Sequence, residues 1–231
     1  MKTVLEADSD FICDIQSPCF QSLSSDELEV VRASKTQVQF RKGDNLTKQG
    51  TFASYVLFMV KGLAKQYIEG DVHKSFNLSL ISPGEFVGLS SVFEKTTFSY
   101  SVMAISDCQA FLVEKEAVAK LMKTNGEFGF KISKRYCSQN AKLFESMNSL
   151  LYRQMNGRLA TALLYINSFK PGYPEIFQLL SRKDIAEFAG ISTESAVKIL
   201  KALEKESIVR LNEKDVELLE HNKLERIALN G

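Results

Sequence analysis

Apolar and polar positions change rhythm several times along the chain. Between about residues 36 and 113, short apolar runs are punctuated by Gly43, Gly50, Gly62, Gly70 and Gly84 at 7–14-residue intervals. That is the spacing of hairpins closing an antiparallel sandwich or barrel. Tyr55, Leu57 and Met59 alternate with Val56, Phe58 and Val60, so this strand has two apolar faces and is expected to be buried on both sides. Ahead of this region, SSDELEVVRAS predicts a short helix that Ser24 or Ser25 can cap, with Asp26 and Glu27 in its first turn. Behind it, about 115–166 reads as helix without proline, with breaks expected at Gly126 and Gly157. Within about 127–155, Ile132, Tyr136, Leu143, Met147 and Leu150 keep a three- and four-residue rhythm, interrupted by Gln139 and Asn140. This stripe can pair with the same helix of a second copy or lie on its own β-domain, and one face can serve each.

From Met155 the texture changes again, with Gly157 as a plausible hinge. RLATALLYINSF predicts an amphipathic helix and PGYPEIFQL a connector. In LSRKDIAEFAGISTESAVKILKALEKESIV, Ser181 and Asp184 make a capping-box-like start, and Ile185, Ala186 and Ala189 form an inner face. Gly190 supplies the freedom that a tight inter-helix turn requires. Ser192 can cap a second helix that runs to about Glu204, with Ala196, Ile199, Leu200 and Leu203 inward. A helix-turn-helix follows. IVRLNEKDVELL then reads as a hairpin turning at Asn212–Lys214, in the place of a wing, and a final helix is expected to run to Leu229.

The outer face of the second helix suggests duplex DNA. Glu194, Lys198, Lys201 and Lys205 recur at steps of four, three and four. In a major groove, lysine donates to guanine, glutamate accepts from cytosine N4, and Val197 can touch a thymine methyl. Ser192 and Thr193 stand at the helix N-terminus, which favours phosphate. Arg182 and Lys183, on the preceding helix, are placed to grip the DNA backbone.

Charge does not decide the matter. The chain of 231 residues carries 29 basic and 28 acidic side chains, and residues 155–231 carry 11 of each. Any nucleic-acid contact must therefore be local. Composition is that of a globular chain, with no apolar run long enough for a membrane span and no signal peptide, so a cytoplasmic protein is expected. The four cysteines are too few for a disulfide scaffold, and reduced thiols are expected. No Walker loop, HExxH, GxSxG or CxxC occurs, so an enzyme is not expected.

Taken in order, the glycine-marked VLFMVKGLAKQY and ISPGEFVG, the long helix, MNGRLATALL and the helix-turn-helix segment resemble the Crp/Fnr superfamily of bacterial transcription regulators over nearly the full length. The resemblance implies an α+β chain: an N-terminal antiparallel, jelly-roll-like β-roll, a long central dimerisation helix (about 127–154) and a C-terminal winged helix-turn-helix. Sensory residues 1–154 and DNA-binding residues 155–231 are the expected domains. It also implies a homodimer on a palindromic operator, with RNA polymerase as a partner and a small-molecule or redox effector. Glu194 matches the family's recognition glutamate. Lys198 stands where the family has arginine, which loosens guanine selectivity.

The sensory half departs from the family. Leu89 follows Gly88 where cyclic-nucleotide binders have a glutamate, and the phosphate-binding arginine position falls near Phe98–Ser99. Leu143 and Phe144 offer no donor to an adenine. Cyclic nucleotide is therefore not expected. Of the ligands for an iron–sulfur cluster, Cys13 and Cys19 keep the family's gap, but the first position is Asp10 and the fourth lies nearer Phe111 than Cys108, so no complete cluster is expected. Haem is not expected on His73 or His221. Cys108 and Cys137 read as small core residues. An apolar effector pocket lined by Phe86, Leu89, Phe98, Ser99 and Leu143 is the remaining expectation. The alternatives are a sensory or interaction protein of the same architecture without DNA readout, and a redox sensor through Cys13 and Cys19.

Overall fold

A computed structural model of the chain describes all residues except 7, 10, 13–19, 71–73 and 94–95. The N-terminal strands are β1 (Lys2–Thr3), β2 (Lys35–Phe40), β3 (Asn45–Thr47), β4 (Tyr55–Lys61), β5 (Ala64–Glu69), β6 (Ser75–Ile81), β7 (Phe86–Val87), β8 (Ser101–Ala104) and β9 (Cys108–Glu114). They form a five-stranded sheet, β1-β2-β9-β4-β7, and a four-stranded sheet, β3-β8-β5-β6. Helix α1 (Ser25–Ala33) precedes β2, while α2 (Lys115–Thr124) and the long α3 (Gly126–Tyr152) follow β9. Ser24 caps α1 through a capping box with Glu27.

The two apolar faces of β4 serve two cores. Leu57 and Met59 face the sandwich interior with Val38, Phe40, Val87, Val102 and Ala110. Val56 and Phe58 point the other way, into a cluster with Phe20, Phe86, Phe111, Phe128 and Ile132. Phe20, Phe58, Phe86 and Phe128 meet with ring centroids 5.0–5.9 Å apart at tilted and edge-on angles, the preferred aromatic arrangement.

The remaining elements are α4 (Met155–Asn167), α5 (Ile176–Leu179), α6 (Arg182–Ala189), α7 (Thr193–Lys205), β10 (Val209–Asn212), β11 (Asp215–Leu218) and α8 (His221–Asn230). The chain divides into two compact units, one of residues 1–69 and 79–141, the other of 70–78 and 142–231. The division thus falls inside α3. The break between α3 and α4 lies at Arg153–Gln154, and Gly157 is not a break but a buried residue in the first turn of α4. A Cβ on Gly157 would stand 2.4 Å from the Gly231 carbonyl oxygen, so close backbone approach, not hinging, accounts for this glycine. Among the described residues no helix is long and apolar enough to cross a membrane.

The stripe expected to pair two copies is partly corrected. Ile132 is fully buried in its own aromatic core, and Tyr136 packs on that core with its ring 6.2 Å from Phe93. Both were drawn to the face that covers the β-sheet, because that face also needs apolar residues at helical spacing. Leu143 and Leu150 are half-buried, and Met147 is exposed. The uncovered apolar face holds Phe130, Phe144, Met147 and Leu151. Cys137 is exposed there too, contrary to the expected core position.

Candidate nucleic-acid interface

The helix-turn-helix is assembled by short-range chemistry. Ser181 Oγ accepts from the Asp184 amide at 3.1 Å, and Asp184 Oδ2 accepts from the Ser181 amide at 2.7 Å, which satisfies the first donors of α6. Gly190 ends α6 at φ +61°, a conformation glycine adopts without cost. Its carbonyl accepts from Arg158 Nη1 at 3.3 Å. Ser192 Oγ then caps α7 by accepting from the Ser195 amide at 3.1 Å. Ala196, Leu200 and Leu203 of α7 and Ile185, Ala186 and Ala189 of α6 are buried, while Ile199 is half-buried.

This packing fixes which side of α7 faces outward. Glu194, Lys198, Lys201 and Lys205 are all exposed. Thr193, Glu194, Val197, Lys198 and Lys201 line one shallow surface depression. Among the described residues none of these lysines is engaged in an ion pair. Ser192 lies exposed beside them at the N-terminus of the helix. The structure thus brings six of the eight predicted contact residues onto one open surface.

The other two differ from each other. Lys183 is exposed, with Nζ 3.7 Å from Glu187 Oε1. Arg182 instead turns toward the hairpin, where Nη2 donates to the carbonyls of Glu213 (3.0 Å) and Asp215 (3.2 Å). Burial pulls its pKa down, against the opposing pull of the Asp215 and Glu204 carboxylates. The hairpin itself turns through Glu213 and Lys214, with Asn212 opposite Asp215. Its strands are joined by an exposed Arg210–Glu217 pair at 2.9 Å. Glu204 Oε1 accepts from the Leu211 amide at 3.0 Å, a contact that no sequence pattern signals.

The residues expected to line an effector pocket are placed otherwise. Phe86 and Leu89 are buried in the aromatic core beside Phe58 and Ile132. Phe98 is half-buried against the sandwich core, and its ring edge lies 2.7 Å from where a Cβ on Gly88 would stand. Ser99 is exposed, and Leu143 belongs to the second unit. The Gly88 amide donates to Tyr100 Oη at 2.9 Å, and burial raises the pKa of that phenol. Cys108 is buried with Sγ 3.3 Å from the Leu63 carbonyl, and burial pushes its thiol up to about 11. Cys13, Cys19 and His73 lie outside the described residues. His221 is exposed, 3.5 Å from Glu225. Among the described residues no group of three or more metal-ligating side chains occurs.

Comparison with known proteins agrees with this architecture. The family described as "Cyclic nucleotide-binding domain" matches residues 37–125, and the "Crp-like helix-turn-helix domain" matches residues 157–227. The chain is 24% identical over 212 residues to the cyclic AMP receptor protein of Thermus thermophilus, covering 92% of this chain and 97% of that one. It is 25% identical over 175 residues to the cAMP-activated global transcriptional regulator CRP of Salmonella typhimurium, covering 74% and 83%. A solved structure from Eubacterium rectale, described as a regulator of the Crp/Fnr family, superposes with TM-score 0.77 at 16% identity, over 92% of this chain and 98% of that one.

Proposed function

Because the chain belongs to the Crp/Fnr family of transcription regulators, we propose that it is a sequence-specific DNA-binding homodimer, switched by an effector and acting on a palindromic operator in the cytoplasm. The observation that carries this reading is the outward face of α7. Thr193, Glu194, Val197, Lys198 and Lys201 share one open depression, while the opposite face of the same helix is buried. A helix so mounted can enter a major groove, with Glu194 accepting from cytosine, Lys198 donating to guanine and Ser192 at a phosphate. A half-site resembling TGA suits this pair, and RNA polymerase is the expected protein partner.

The second copy is supported by α3. Phe130, Cys137, Phe144 and Leu151 recur at seven-residue steps, and all four are exposed. A seven-residue apolar repeat is the pattern by which two helices pair along a common seam. Met147 lies beside it.

The two named relatives are a cyclic AMP receptor and a cAMP-activated regulator, yet the residues at the corresponding turn do not fit a cyclic nucleotide. The Gly88 amide is taken by Tyr100, and Phe98 crowds the turn. Leu89, where a ribose-binding carboxylate would be needed, is buried in an apolar core. Phe98 and Ser99 bring no cation of their own to a cyclic phosphate there, and a buried phosphate without one would be costly. The effector is therefore of other chemistry.

Selection of duplexes from a random-sequence library by the full chain, followed by binding titrations at several salt concentrations, tests the reading. An enriched inverted repeat with a steep fall of affinity as salt rises is the expected result. Failure to retain any duplex, or salt-independent retention, would return the chain to a sensory role without DNA readout.

A further inference from the structure

Three backbone groups of the β10–β11 hairpin are held by two side chains of the helix pair. Arg182, the first residue of α6, donates from Nη2 to the carbonyls of Glu213 at 3.0 Å and Asp215 at 3.2 Å. Glu204, in the last turn of α7, accepts the Leu211 amide at 3.0 Å. The gripped groups lie in β10, in the turn and in β11, so both strands and their connection are tied back to the helices. Glu213 sits at φ +46°, a left-handed conformation that residues with a side chain seldom adopt, and its carbonyl is one of the two that Arg182 holds. The planar guanidinium serves both carbonyls from one nitrogen while half-buried. Lysine's compact ammonium is more strongly hydrated than a guanidinium and costs more to hold half-buried at these two carbonyls.

Arg182 was expected at a phosphate. Its Nη2 is committed to the hairpin, and its Nη1 is buried without a hydrogen-bond partner, so the guanidinium is held inward. We infer that Arg182 and Glu204 form a brace that sets the wing against α7, and that Arg182 is a positioning residue for DNA binding, not a phosphate contact. This rests on reading α7 and the hairpin as the DNA interface. A wing held in register presents Lys214, which follows Glu213 in the turn, at a fixed place beside α7. A released wing would present it over a range of positions, and binding would first have to order it.

The test uses the full chain and duplex DNA that it selects from a random-sequence library. Arg182→Met, Arg182→Lys and Glu204→Met, the last removing the acceptor of the Leu211 amide, are compared with the parent for affinity, for the slope of log affinity against log salt, and for the rate of endoproteinase Lys-C cleavage after Lys214 without DNA. Circular dichroism confirms folding, and Glu204→Met keeps the brace testable if an Arg182 variant fails to fold. The brace predicts about tenfold weaker binding for each variant, an unchanged salt slope, faster cleavage after Lys214, and no rescue by lysine. A slope reduced by about 1.8 in Arg182→Met, one phosphate contact from each of two subunits, with affinity restored by Arg182→Lys, would assign a phosphate contact and overturn the brace. Parental cleavage rates after Lys214 in all variants would overturn it as well. If the parent selects no duplex, the DNA-interface reading fails, while the cleavage rates still decide whether the brace exists.

Discussion

Lys198 and Gly190 sit within a few residues of each other and fail in opposite ways when changed. Lys198 is exposed on α7 and engages no partner of its own chain among the described residues. Lys198→Ala is expected to cost about 1–3 kcal/mol of binding to a selected operator, with the thermal midpoint unchanged. Fluorescence anisotropy and a melting curve check the two halves of that statement. Gly190 is held at φ +61°, and a Cβ there would stand 2.5 Å from Leu150 Cδ2. Gly190→Ala is therefore expected to destabilise the second unit by about 1–3 kcal/mol, measured by denaturant unfolding. Burial raises the Cys108 pKa to about 11, so its thiol is expected to stay protonated and unreactive near pH 8 until the chain unfolds. Peptide mapping after a brief iodoacetamide treatment of native and urea-unfolded chain reads this out; modification of Cys108 in the native chain would contradict the burial.

At the scale of elements, α3 carries two apolar faces with different employers. Its first turns bury Phe128 and Ile132 under the five-stranded sheet, while Phe130, Cys137, Phe144 and Leu151 are left uncovered. Burying a phenylalanine contributes about 1.5–3 kcal/mol, so Phe144→Lys is expected to shift the chain from dimer to folded monomer in sedimentation velocity. Ile132→Ala is expected to do the reverse, lowering stability by about 2–5 kcal/mol through a core cavity while the remaining folded protein still associates. Equal effects of the two substitutions on association would refute the division of faces. The sequence contained the seven-residue repeat, but the apolar rhythm through Ile132, Tyr136, Leu143, Met147 and Leu150 is as regular. Periodicity finds an apolar face without saying what covers it.

For the whole molecule, the turn at Gly88 is closed by Tyr100 and crowded by Phe98. A ligand at a hundredfold excess over its dissociation constant stabilises the native state by about 2.7 kcal/mol. Millimolar cyclic AMP is expected to leave the melting midpoint unmoved, and a shift of several degrees would show that the site accepts it after all. The order of β-roll, long helix and winged helix was legible in the residues, because strand alternation, capping serines and the Gly190 turn are local signals that act over a few positions. So was the outward face of α7, since the helical period alone separates Lys198 from Leu200. The position of Arg182 was not legible, nor the commitment of Glu204 to Leu211, nor the closure of the Gly88 turn by Tyr100. Each joins groups that the chain brings together only through tertiary packing. What the sequence determined by itself was therefore the set of elements and the side chains they turn outward. Only the folded structure decided which of those side chains are already spent on the protein's own backbone, because a hydrogen bond depends on a meeting in space that neither composition nor period encodes.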